Sequence, residues 1–78
     1  MYLSKDKKQT IAALFNSAMY NRTVWFEKID AGDFEKADVF KLDYAWDVVK
    51  LADDYGIELA NLSGCRAWVN EWQDEVLK

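Results

Sequence analysis

The chain has 78 residues, 51% of them apolar and 15% aromatic, with ten Lys plus Arg against fourteen Asp plus Glu. That aromatic content excludes intrinsic disorder, and charges recur too often to leave the run of ~18 apolar residues that crosses a bilayer. One small helical domain over residues 1–78, with no membrane contact, is the expected organisation.

A chain this short buries only about 60% of its unfolded surface, so a bare core is marginal. With a single cysteine, Cys65, and no histidine, it can form neither an intrachain disulfide nor the usual structural zinc site. Packing and self-association remain, and a homo-oligomer is expected. The unpaired thiol and the lack of an apolar leader point to the reducing cytoplasm. Two triplets, Asn21-Arg22-Thr23 and Asn61-Leu62-Ser63, fit the glycosylation pattern and, with no secretory signal, read as chance matches.

In chain order, helix one is expected to begin after Ser4, a good N-cap, and to run towards Ile29. Its apolar face carries Ile11, Leu14, Phe15, Ala18, Trp25, Phe26 and Ile29, and a smaller strip of Ala13, Tyr20 and Val24 lies opposite. The poor helix formers around Asn21 are expected to kink or break it. Arg22 falls on the apolar face, where pairing with an acid of helix two is the simplest reading and anion binding the alternative.

Helix two follows the Ala31-Gly32-Asp33 turn, with Asp33 or Asp38 as N-cap. It should end at Tyr55, with Gly56 in the left-handed position and Ile57 supplying the apolar contact of a Schellman ending. Helix three, from Ser63, carries a narrow stripe of Cys65, Trp68, Val69, Trp72 and Val76. An all-α three-helix bundle results, with helix one kinked or broken near Asn21. The segment Gly32-Asp33-Phe34-Glu35-Lys36-Ala37 resembles the inter-helix turn of tetratricopeptide repeats. That resemblance covers one hairpin, the chain holds no second copy, and at least three units build such an array, so the segment reads as an ordinary helical hairpin.

Helix two is apolar on two sides. The side with Leu42, Ala45, Trp46, Val49 and Ala52 is expected to be internal. The side with Phe40, Tyr44, Val48, Leu51 and Tyr55 has the amphipathic look of a contact surface. Beside it, Asp43, Asp47, Lys50 and Asp54 form a charged ribbon.

Charge is unevenly shared. Residues 1–28 carry Lys5, Lys7, Lys8, Arg22 and Lys28 against Asp6 and Glu27, whereas residues 29–58 carry nine acids against three lysines. The two segments are expected to pack antiparallel and partly neutralise each other.

Catalytic templates all lack a member. Without histidine the common Ser and Cys nucleophile arrangements cannot be built, and no glycine-rich phosphate loop, calcium loop or zinc spacing is present. Cys65 reads as a small buried hydrophobe, and the four tryptophans, Trp25, Trp46, Trp68 and Trp72, as core residues.

The first functional reading is therefore a non-enzymatic interaction module that binds and modulates another macromolecule, with a protein as the expected partner, by inhibition for instance, in the manner of a bacterial or phage accessory factor. Its contact would use Phe40, Asp43, Tyr44, Asp47, Leu51, Asp54 and Tyr55, with no catalytic residues, cofactor or metal. The alternative is a binder of a phosphate-bearing small ligand such as a nucleotide. There Tyr2 and Tyr20 would stack on a base while Lys5, Lys7, Lys8 and Arg22 hold phosphates. Duplex nucleic acid is not expected, because the acidic remainder would repel its backbone.

Overall fold

The computed structural model describes residues 4–76 and contains three helices, α1 (Lys5–Asp30), α2 (Phe34–Tyr55) and α3 (Leu62–Val76). The boundaries of α1 and α2 have local causes. The Ser4 hydroxyl accepts from Lys7 N at 3.2 Å and the Asp33 carboxylate from Lys36 N at 3.3 Å, each satisfying an otherwise orphaned amide. Of the two N-caps considered for α2, Asp33 serves.

The Schellman ending expected at Gly56 is found at the other glycine. At the end of α1, Asp33 N donates to Lys28 O and Gly32 N to Ile29 O, with Gly32 at φ +77°. Gly56 does take the left-handed conformation, φ 69°, but Ile57 N donates to Leu51 O, one residue wider than the closure at Gly32.

The break expected near Asn21 does not occur: α1 runs continuously through it. Tertiary contacts offset the weak local propensity. The Asn21 amide donates to Asp47 of α2 at 3.3 Å, and Asp47 also accepts from the Ser17 hydroxyl at 2.7 Å. One carboxylate thus ties two successive turns of α1 to α2.

The three helices form a bundle in which α2 is the shared central element, packed against α1 and against α3. Ala18, Tyr44, Ala45, Val48, Cys65 and Val69 make a contiguous buried cluster with members from all three helices. Ala18 and Ala45 carry nothing beyond Cβ, so the helices approach closely there. Burying Leu51 and Val48, both fully covered, contributes about 1.5–3 kcal/mol each. Between α1 and α3, side chains make the connection, with Trp25 edge-on to Trp68 at 5.6 Å between centroids. No described helix is long and apolar enough to cross a membrane.

Candidate functional site

Of the two apolar sides of α2, the one assigned to a contact surface is largely internal, while the one assigned to the interior is so in part: Ala45 is buried and Leu42 and Val49 pack on the core, but Trp46 is exposed. Tyr44 and Leu51, assigned to a contact surface, lie in the core, as does Val48. Phe40 and Tyr55 on the same side are half-buried. The cause is non-local: this side of α2 meets α1, and the polar atom it brings into the core, the Tyr44 hydroxyl, accepts from the Asn61 amide at 3.4 Å. Asp47 is engaged by Ser17 and Asn21, so of the acidic ribbon Asp43 and Asp54 remain as exposed carboxylates.

The residues of the alternative ligand site do not come together. Tyr2 lies outside the described residues. Lys5, Lys7 and Lys8 sit in the first turn of α1, and the fourteen residues from Lys8 to Arg22 span about 21 Å of helix. Tyr20 and Arg22, two residues apart, point about 160° away from each other. No single nucleotide phosphate reaches both ends. Nor does Arg22 pair with a helix-two acid: its guanidinium lies over the Phe26 ring, 5.3 Å from the centroid. Antiparallel neutralisation of the two charged segments likewise finds no direct expression, since the inter-helix ion pair among the described residues joins α3 to α2, Arg66 to Asp53.

That pair is bidentate, with Arg66 Nη2 to Asp53 Oδ1 at 2.6 Å and Nη1 to Oδ2 at 3.2 Å. The hydrogen bonds from Arg66 hold the Asp53 carboxyl below its ordinary pKa of 3.8, and the same bonds raise Arg66. The pair fixes the start of α3 against the end of α2. Burial pushes the Cys65 thiol up, which keeps it protonated and unreactive in the core.

From this anchor the α2–α3 seam opens into an aromatic and acidic surface that sequence periodicity does not reveal. Trp68 and Trp72 of α3 form its walls with Leu42 of α2, and Asp38, Glu71 and Glu75 supply carboxylates around a groove of about 190 Å³. Lys41 provides the one cation, with Nζ 4.3 Å from the centre of the Trp68 ring. A second groove, about 220 Å³, lies along the same seam beside Trp46, Val49 and the Arg66–Asp53 pair. Trp72 lines the first groove and Trp46 the second, and the two indoles meet edge to face at 6.2 Å. They are 39% and 38% exposed, so this pair is a surface feature. Trp25, by contrast, is half-buried and packs on Phe26, Tyr44 and Trp68. Of the four tryptophans assigned to the core, two thus belong to it and two do not.

Among the described residues no three His, Cys, Asp or Glu side chains are grouped closely enough to hold a metal ion. The arrangement suits a cation-bearing partner. Indole faces attract an ammonium or guanidinium, and three surrounding carboxylates give the groove a negative field that repels phosphates. Comparison with protein-family models, with curated proteins and with solved structures gave no match.

Proposed function

We propose that the chain is a non-enzymatic interaction module that binds a lysine- or arginine-bearing segment of another protein in the groove between α2 and α3 and modulates that protein by occupying the segment. One observation carries this reading. The groove sets three carboxylates, Asp38, Glu71 and Glu75, and the exposed Trp72 indole against one cation, Lys41, whose Nζ lies 4.3 Å from the centre of the Trp68 ring, and that excess of negative charge supports binding of a further ammonium or guanidinium group. The acidic and aromatic character anticipated for the contact is retained, and its location moves from the Tyr44 side of α2 to the α2–α3 seam. A protonated, buried Cys65 without a disulfide partner fits work in the reducing cytoplasm.

Trp72 and Glu71 are the residues to vary, because both are exposed and neither belongs to the buried cluster. Titration with synthetic peptides carrying lysine or arginine should give binding that weakens with added salt. Trp72→Ala should weaken it by about thirtyfold, the loss typical of an interface hot spot of about 2 kcal/mol, and Glu71→Gln by less. Helicity should be unchanged in both variants. Equal affinity for glutamate-bearing peptides, or unaltered binding by Trp72→Ala, would remove the groove from the account.

A further inference from the structure

A second apolar surface lies on α1, remote from the α2–α3 groove. Phe15, Arg22, Phe26 and Ile29 follow one another at spacings of seven, four and three, which places them on a single stripe of the helix. Phe15, Phe26 and Ile29 are between 39% and 44% exposed, and the Arg22 guanidinium lies along Phe26 between them.

The two ends of this stripe have opposite shapes and charges. Towards the N-terminus, Ile11, Ala12 and Phe15 of α1 join Leu51 and Ile57 around an almost wholly apolar groove of about 350 Å³, with Lys8 at its rim. Towards the C-terminus, Phe26, stacked on Trp25, and Ile29 present their exposed edges, and neither lines the apolar groove. The flanking charge reverses as well. Lys5, Lys7 and Lys8 outnumber Asp6 in the first turn, whereas Glu27, Asp30, Asp33 and Glu35 outnumber Lys28 and Lys36, the latter paired with Asp33, around the α1–α2 turn.

A surface with a basic-rimmed groove at one end and an acid-flanked apolar ridge at the other complements itself under a two-fold rotation. We infer that a second copy of the chain docks antiparallel along α1, with Phe26 and Ile29 of each copy entering the groove beside Ile11 and Phe15 of the other. An axis crossing α1 between Tyr20 and Asn21 sets Phe15 opposite the second copy's Phe26 and Lys8 opposite its Asp33, with its Asp30 one turn away. In that register the free face of the Arg22 guanidinium meets the second copy's Phe15, so that the cation is held between two rings. The outward-facing arginine on an apolar stripe is thereby explained without an ion pair.

Sedimentation equilibrium over a range of protein concentrations tests this. The native chain should rise from 9.1 kDa to twice that mass with increasing concentration. Ile29→Glu, at a position outside the buried cluster, should stay at monomer mass with unchanged helicity. Lys8→Glu should weaken dimerisation by about tenfold, because each substitution counts twice in a two-fold dimer. Combining Lys8→Glu with Asp30→Lys should restore part of that loss, because residue 30 of the second copy stands one turn from the Asp33 that faces position 8. Trp72→Ala should leave self-association intact, which separates this surface from the α2–α3 groove. A native chain that stays monomeric throughout, an Ile29→Glu variant that still dimerises, or a charge exchange that restores nothing would overturn the inference.

Discussion

The two seams of α2 are built from different chemistry. Against α1 the helix buries Tyr44 and Leu51 and spends its polar groups inside the contact, where Asp47 takes both the Ser17 hydroxyl and the Asn21 amide. Against α3 the contact closes around Cys65 and Val69, while Trp46, Trp72 and the carboxylates of Asp38, Glu71 and Glu75 stay on its outer edges. Around Tyr44 and Asp47 the first seam is finished within the chain, and it opens at its Leu51 end, where the apolar groove beside Ile11 and Phe15 lies. The second leaves indole faces and negative charge available to another molecule, so aromatic content by itself does not separate core from contact surface.

The contrast can be broken most severely at Leu51. Leu51→Ala removes a fully covered side chain and should cost about 2–5 kcal/mol, enough to unfold much of a domain this small, as read by denaturant titration. Trp72→Ala, on the outer edge of the other seam, should lose partner binding with far less loss of stability.

The joint between the seams sharpens the comparison. Gly56 adopts φ +69° and has open space where a side chain would go, so Gly56→Ala should destabilise through backbone strain by about 1–2 kcal/mol. Gly64 lies within α3 with the same open space and no such backbone requirement. Gly64→Ala should therefore stabilise by about 0.5–1 kcal/mol. Opposite signs in thermal melts of the two variants are the expected result.

Asp47→Ala should cost about 1 kcal/mol by leaving Ser17 and Asn21 without their shared acceptor, and should not alter binding of cationic peptides. The smallest effect concerns pH. Because Asp53 is held below 3.8 when folded, its pairing with Arg66 contributes fully at neutral pH, and the contribution is lost as pH falls through the folded pKa. Melting temperature should decline over that acidic range, and Asp53→Asn should flatten the decline.

Local signals in the sequence located the helices well. Ser4 and Asp33 as caps, glycine at the turns and the helical repeat of apolar residues are properties of a few neighbouring positions. Whatever depended on pairing between distant segments was not legible. Helix α2 is apolar on two sides, and only the placement of α1 and of the Asn61 amide makes the Tyr44 side internal. The groove needs Asp38 to stand beside Glu71 and Glu75, more than thirty residues away, which periodicity within one helix cannot show. Arg22 is an intermediate case. The ring it stacks on, Phe26, is four residues away, and that spacing alone favours the contact over a remote carboxylate.

The most direct test of the central claim uses the four indole N–H groups as reporters. In two-dimensional nitrogen–proton spectra, titration with a lysine- or arginine-bearing peptide should shift the Trp68 and Trp72 signals more than that of Trp25, which is half-buried and does not line the groove. A peptide that binds while shifting Trp25 and not Trp72, or that shifts none of the four, would contradict the assignment of the α2–α3 groove as the docking site.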